Sequence, residues 1–478
     1  MRRSPGHEQP VPIAGADAAA GRTALALLVA GTFFMENLDA TVITPAIPAM
    51  AGSFGVQPVD LDIGVSAYML TLGVFIPISG WAAERFGARR VFAFAIALFT
   101  LASLLCGLSA SLPQFVATRV LQGIGGALMV PVGRLVVLRE TPKHELVRAI
   151  AMLTWPALVA PVLGPPLGGL IADHGDWRWI FWLNLPLGAV ALLLALRIVP
   201  ELERHRDKTF DWPGFLLTGS GLFCLMAATE ILSRPEAAWR SAAMLLAAGI
   251  ALMAASVRHL RRAARPMLEL SALKLPTFAV TIWGGSLFRM GVSAVPFLIP
   301  LMFQIGFGFD AFSAGMMLMA VFAGNLAMKP MTTPVMRRFG FRPVLIVNGV
   351  LNAALIGACA LFASRMPLSL ICAVLFLGGM ARSMQFTALN SIAFSDVPQP
   401  QMPDANTLFS TAFQLAMGLG VALGAIAWRI GESLAPGAGA DVPFRIAFLI
   451  VAATSLLAVV DSVRLRPGVG DHVARNRP

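Results

Sequence analysis

Fourteen apolar stretches follow one another along this chain, separated only by short connections, and each approaches the length that crosses a bilayer. They run approximately over 23–47, 61–83, 91–110, 114–137, 148–173, 178–198, 212–232, 240–257, 277–303, 311–335, 343–363, 366–392, 405–430 and 443–463. About 20 residues of helix span the hydrocarbon core. A helix satisfies its own backbone polar groups segment by segment, which lipid demands. The pattern therefore predicts an all-α polytopic membrane protein. Only 13% of residues are charged, against about 25% in soluble domains, and the mean hydropathy is +0.76. Length alone would suggest about three soluble domains, but lipid takes over the solvation of apolar surface.

The formal net charge of +11 is no nucleic-acid signature, because Arg and Lys fall in short clusters between the apolar stretches. Alternate connections read ERFGARR (84–90), RETPKHELVR (139–148), ELERHRDK (201–208), RHLRRAARP (258–266) and RRFGFR (337–342), whereas those at 48–60 and 304–311 hold no Lys or Arg. Cytoplasmic connections carry such an excess of basic residues, so both termini are expected inside. The N-terminal tail is too polar for a cleaved signal peptide, and the first span is expected to remain in the mature protein. Cys106, Cys224, Cys359 and Cys372 all lie inside apolar runs, without metal-ligand or disulfide spacing, and read as small packing residues.

The chain also repeats itself. RFGAR at 85–89 returns as RFGFR at 338–342, an offset of 253 residues, and the same offset carries Gly125-Gly126 onto Gly378-Gly379. The simplest organisation is a cytoplasmic tail (1–22), a six-helix bundle (23–198), a linker holding two extra spans (199–264), a second six-helix bundle (265–464) and a cytoplasmic tail (465–478).

Two carboxylates stand inside the first apolar stretch, FFMENLDATVITPAIP. Glu36 and Asp39 are three residues apart and share a helix face. An ionised carboxylate costs roughly 3 kcal/mol in a membrane on insertion scales. Either one exchanges protons, or Asp39 merely pairs with Arg119 of the fourth span. A static lock could be replaced by apolar packing without loss, which favours a functional role. Glu36 is a second proton site, a ligand for substrate, a partner of Arg289, or a residue that faces a polar crevice and does little. Two carboxylates this close would titrate as a coupled pair.

Four segments extend the pattern: GWAAERFGARR (80–90), RVLQGIGGALMVPVGR from Arg119, APVLGPPLGG (160–169) and WRWIFWLNLPLG (177–188). Together with LDATVITPAIP they resemble the major facilitator superfamily, and more narrowly its fourteen-span drug:proton antiporters of the EmrB/QacA type. The resemblance covers nearly the whole chain and implies a major facilitator fold of two pseudo-symmetric six-helix bundles with two inserted transmembrane helices. It puts Asp39 on the acidic residue of the first-span motif, Arg119 on the arginine of the fourth-span motif, and Gly164, Pro165, Gly168 and Gly169 on the antiporter motif. Gly80, Glu84, Arg85, Gly87, Arg89 and Arg90 fall on the signature loop, with Arg338, Gly340 and Arg342 as its counterpart in the second half. Glu84 replaces the usual Asp of that loop, and Thr44 stands where the family often has Asn.

A proton carrier needs a proton affinity that differs between two conformations, and Asp39 with Arg119 as a movable partner can supply it. Arg289, which the offset places opposite Glu36, and Arg382 are substrate-cavity candidates, since an intramembrane Arg is a functional candidate by default; a tie from helix to carbonyl is the alternative. Gln122, Asn325, Gln385, Asn390 and Gln414 are candidate cavity lining or interhelical hydrogen-bond donors. Lys329 is expected to snorkel, and MMLMAVF (316–322) to pack or meet lipid. Glu36 and Asp39 against Arg119, Arg289 and Arg382 leave +1 with both acids ionised and +3 with both protonated. That balance points to anionic or zwitterionic solutes, metal–carboxylate chelates among them, rather than lipophilic cations.

An enzyme reading has little to stand on, because the chain shows no Walker loop, HExxH, GxSxG or Cys/His cluster. His174 between Asp173 and Asp176 is a weak metal candidate, and no cofactor is expected. A receptor-like protein of the same fold is a rival, and a proton-independent uniporter is a nearer one. The expected mechanism is proton-driven efflux by rocking of the two halves around a site between them, with the two RFG loops latching the cytoplasmic side. The inserted spans are expected to sit beside the core without taking part. Partners are the lipid bilayer, protons and a small-molecule substrate, with no nucleic acid. The protein is expected to work as a monomer in a bacterial cytoplasmic (inner) membrane, an accessory periplasmic partner being left open.

Overall fold

A computed structural model describes residues 14–201, 209–233, 238–309, 311–468 and 470. Among the described residues there is no strand. The first half holds α1 (Ala14–Val42), α2 (Ile47–Phe54), α3 (Asp62–Phe75), α4 (Ile78–Phe86), α5 (Ala88–Leu108), α6 (Leu112–Glu140), α7 (Leu146–His174), α8 (Trp179–Trp182) and α9 (Asn184–Ile198). A pair follows, α10 (Trp212–Ser233) and α11 (Trp239–Leu260). The second half holds α12 (Pro276–Leu301), α13 (Ala311–Phe339), α14 (Phe341–Ala358), α15 (Leu368–Ile392), α16 (Met402–Leu434) and α17 (Val442–Val463).

Twelve of the described helices are long and apolar enough to cross a membrane, or thirteen if the bent pair α3 and α4 is one span. The count of fourteen is thus not reached. The tenth expected span corresponds to α13, a helix of 29 residues outside that count. Between α3 and α4 the axis turns by 59° at Pro77, which has no backbone N–H to continue the ladder and whose ring crowds the preceding turn. Pro296 and Pro300 interrupt α12, which runs into a π-turn at Met302–Gly306.

The repeat is visible in the packing. In the first half α1 lies on α7 and α9, α3 on α6, and α5 on α6 and α9; in the second α12 lies on α16 and α17, α13 on α15, and α14 on α15 and α17. The RFG loops share a backbone. Gly87 has φ of 92° and Gly340 has φ of 79°, a region in which a side chain would be strained. Two residues past Gly87, Arg89 donates to the carbonyl of Leu196 at the end of α9, and its counterpart Arg342, two past Gly340, donates to Val463 O at the end of α17. These arginines therefore tie each half to its own last span.

The halves meet along two seams, α4 and α6 against α16, and α7 against α13 and α15. The pair α10 and α11 does not stand apart from them: α10 packs against both α3 and α16.

Candidate functional site

Asp39 lies in α1 with its side chain wholly removed from solvent. Arg119 NH1 donates to its Oδ2 at 2.6 Å, while Gln122 Nε2 and Asn184 Nδ2 each donate to Oδ1 at 2.8 Å. Gln122 and Asn184 also donate to Ser103 Oγ, and Arg119 lies 4.3 Å from the centroid of the Tyr68 ring. Arg119 and Gln122 sit three apart on α6, so one helix face presents both donors. Asn184 opens α9 and was not singled out from the sequence, although it is the one amide inside the apolar run WIFWLNLPLG. A buried ion pair is tolerable when further hydrogen bonds satisfy its free lone pairs, and these amides do so.

Glu36, one turn earlier, has a different setting. It lines a cavity of about 310 Å³ between the halves, and its Oε2 is buried without a hydrogen-bond partner among the described residues. The polar lining includes Asn37, Thr154, Asn325, Asn390, Ser410 and Gln414; Phe33, Phe322, Phe386 and Phe413 supply aromatic surface. Three cations share the lining, namely Arg134, Lys329 and Arg382. Against the single carboxylate of Glu36 they leave a net +2 when it is ionised.

Among the residues expected in the cavity, Arg382, Asn325, Asn390 and Gln414 line it. Arg289, Gln122 and Gln385 do not. Arg289 is fully buried behind Phe409 and Phe413, with its guanidinium carbon 4.9 and 5.1 Å from their ring centroids, and NH1 donates to Thr281 O at 2.9 Å. It makes the helix-to-carbonyl tie. Gln385 donates to Leu345 O and accepts from Asn348 Nδ2 within the second half. Lys329 departs from the expected snorkelling: it is 8% exposed, and Nζ donates to Thr154 Oγ1 at 2.9 Å and to Thr387 Oγ1 at 3.1 Å. Arg134, the last residue of the fourth-span motif quoted above, was missed; it donates to Ser410 Oγ at 3.3 Å and lies over Phe33 and Phe409.

The antiporter-motif glycines seat α7 on α1. A Cβ on Gly164 would stand 2.2 Å from Thr41 Oγ1, and one on Gly168 would stand 2.1 Å from Val42 O. Gly169 comes only to the edge of Pro45, and the side chain of Pro165 lies outside the described residues.

On the face that carries the RFG loops the halves are closed. A Cβ on Gly80 would lie 2.4 Å from Thr407 Oγ1, Asn406 Nδ2 donates to Pro131 O at 2.8 Å, and Lys143 Nζ donates to Phe394 O and Val397 O. Glu84 is buried beside this contact, Arg85 half-buried, and Arg90 and Arg338 exposed. Toward the opposite face a second cavity of about 320 Å³ shares Gln414 and Met417 with the first and is bounded by Asp62, Ser66, Met226, Thr229 and Glu230. The inserted helix α10 supplies three of these residues, Met226, Thr229 and Glu230.

His174 is exposed at the end of α7, and Asp173's side chain lies outside the described residues. Among the described residues no group of three potential metal ligands assembles.

Two bundles with matching packing, a polar cavity between them and one closed face define a membrane transporter. Sequence comparison bears this out. The model of the Major Facilitator Superfamily matches residues 29–421 and 281–472, and the chain belongs to that superfamily. The provisionally named multidrug resistance protein MdtD of Serratia proteamaculans (strain 568) is 37% identical over 399 residues, 84% of this chain and 83% of that protein. The MdtD of Klebsiella pneumoniae (strain 342) is also 37% identical, over 402 residues, 83% of this chain and 84% of that protein. Among solved structures, the proton:xylose symporter XylE superposes with a TM-score of 0.64 at 15% identity over 96% of this chain and 98% of its own. The human organic anion transporter MFSD10 gives 0.63 at 15% identity over 95% of this chain and 100% of its own. At these identities the structures speak for the fold alone.

Proposed function

We propose that this chain is a proton-coupled efflux transporter that exports small organic molecules by alternating access, with the RFG-loop face cytoplasmic. The observation that carries this reading is Glu36, a carboxylate at the wall of the central cavity with an oxygen that no group among the described residues satisfies. A buried acceptor left without a donor is costly. Two things relieve it: a proton, or a hydrogen-bond donor on a bound solute. Each satisfies the same atom, so each displaces the other, and that antagonism is what antiport requires. The multidrug names of the 37%-identical relatives agree with an efflux role.

Asp39 serves here as a lock. Its oxygens are held by three donors, and neither it nor Arg119 lines the cavity in this conformation. It exchanges a proton only if the α1–α6 contact opens as the halves rock.

The lining charge favours a second refinement. With Glu36 ionised the cavity still holds the net +2 of Arg134, Lys329 and Arg382, so a solute with an acidic group is attracted after the proton has left. A solute that joins an acidic group to a hydroxyl, amide or ammonium donor would meet both demands.

The test is efflux from proteoliposomes under an imposed pH gradient, with anionic, zwitterionic and cationic panels, comparing wild type with Glu36→Gln and Asp39→Asn. The reading requires that Glu36→Gln lose gradient-driven flux while keeping solute–solute exchange. Flux that ignores the gradient in the wild type would replace antiport with uniport.

A further inference from the structure

Lys329 contributes to the scheme above only as one of three cavity charges, but its position does more. Its Nζ reaches Thr154 of α7 in the first half and Thr387 of α15 in the second, so one ammonium bridges the two bundles. Both partners are neutral hydroxyls, and among the described residues Lys329 forms no ion pair. An ammonium has three donors, two of which these hydroxyls take, in a side chain that lines the central cavity. Arg382 lines the same cavity, with Nε and NH1 buried and without partners.

The repeat supplies a second seam to compare with the bridge. The offset of 253 residues carries Thr154 onto Thr407. At the second seam Thr407 meets the other half directly, against Gly80 and at 3.4 Å from Ser79 Oγ. That seam also carries hydrogen bonds, from Asn406 Nδ2 to Pro131 O and from the Arg134 guanidinium to Ser410 Oγ. At the first seam a long, charged side chain fills the gap, and hydroxyl oxygens are weaker acceptors for an ammonium than an anionic oxygen.

We propose that Lys329 binds an acidic group of the transported molecule, a carboxylate or sulfonate, and that in doing so it gives up Thr154 and releases the tie between the halves. This rests on the central cavity being the translocation site, and it adds to that reading the residue that senses the solute and the seam that responds. Arg382 supplies the second contact to the same acidic group.

The experiment is equilibrium binding to the full-length protein in nanodiscs with two aromatic probes of opposite charge, naphthalene-2-sulfonate and tetraphenylphosphonium. Lys329→Met should weaken sulfonate binding about tenfold or more, the loss of one charge-assisted hydrogen bond, and leave the phosphonium unweakened. Lys329→Arg should restore most of the sulfonate affinity. Thr154→Val removes the competing acceptor, together with the hydroxyl's bonds to Ile150 O and Ala151 O of its own helix, and should tighten sulfonate binding; a purely structural lysine would give no such gain, and this variant stands even if Lys329→Met fails to fold. Equal losses for both probes in Lys329→Met, or unchanged sulfonate binding in both Lys329→Met and Thr154→Val, would overturn the proposal. Binding of neither probe to the wild type would overturn the cavity assignment itself, and the proposal with it.

Discussion

The ammonium of Lys143 lies 2.7 Å from the carbonyl oxygen of Phe394, so the connection between α6 and α7 is tied to the turn that follows α15 in the other half. A second bond, 2.8 Å to Val397 O, completes the tie. Both carbonyls lie beyond the end of α15 at Ile392, and the charged donor ties the two halves across the closed face. Replacing Lys143 by Met should weaken closure by about 1.5–3 kcal/mol, the usual worth of hydrogen bonds to a charged group. A cysteine at Ala405, fully buried at this face, would report it: alkylation should accelerate about tenfold or more if opening limits access. An unchanged rate would show that Lys143 does not hold the face shut.

Gly80 makes the complementary contact by having no side chain. Alanine there would bring its Cβ to 2.4 Å from Thr407 Oγ1 and 3.1 Å from Pro403 O. The first neighbour is a short hydroxyl and the second is backbone, so relief requires the helices to part. Gly80→Ala is expected to depopulate the closed-face conformation and slow transport, and Thr407→Ala in the same chain should restore part of the rate. The alkylation assay at Ala405 separates this from simple misfolding, since an opened but folded protein labels faster and still binds solute.

Glu36 and Asp39 should respond differently to mutation despite lying one turn apart. Truncating one partner of a buried, hydrogen-bonded ion pair costs about 3–5 kcal/mol, so Asp39→Ala should lower the melting temperature markedly, and Asn184→Ala should do so to a lesser degree. Among the described residues Glu36 forms no ion pair for Glu36→Gln to remove, and the substitution gives the lone Oε2 position an amide able to donate; its melting temperature should stay near the wild-type value while gradient-driven flux is lost. Equal melting temperatures for Asp39→Ala and wild type would remove the case for a lock.

How much of this was legible beforehand can be seen in the same two residues. Their shared helix face was readable, as was the pairing of Asp39 with Arg119. What could not be read is that the cavity edge falls between them. An α-helix turns about 100° per residue, so three residues leave side chains about 60° apart, enough to put one in a sealed network and the other at the wall. Arg289 shows the limit of the repeat: the offset places it opposite Glu36, but Phe409 and Phe413 on α16 stand in front of its guanidinium. Lys329 lies eight residues before Arg337, roughly 12 Å along the axis at 1.5 Å per residue. That depth argues for the interior, yet its hydroxyl partners come from two other helices and leave no local pattern. The six-and-six architecture was legible because hydropathy and basic loops are local signals; the lining of a cavity between two bundles is set by tertiary packing.

Asp211 anchors the inserted helices, and its chemistry gives a test by pH. It precedes α10 and accepts hydrogen bonds from Gly214 N (2.9 Å), Met267 N (3.1 Å) and His259 Nε2 (2.8 Å), joining both ends of the insert to the start of the second half. Burial alone would raise its pKa, but the backbone N–H of Gly214, the His259 side chain and the backbone N–H of Met267 outweigh this and hold it below the ordinary carboxylate range. A carboxyl whose folded-state pKa is depressed contributes stability that is fully present above its unfolded value, about 3.9, and is lost as pH falls through the lower folded value. Asp211→Asn should therefore melt below wild type at neutral pH, and the gap should narrow only in strong acid, once the wild-type carboxyl protonates. Thermal unfolding of both proteins from neutrality down to about pH 3, below the unfolded-state value, measures it. A gap that closed already between pH 7 and 5 would show that Asp211 is not held below the ordinary carboxylate range.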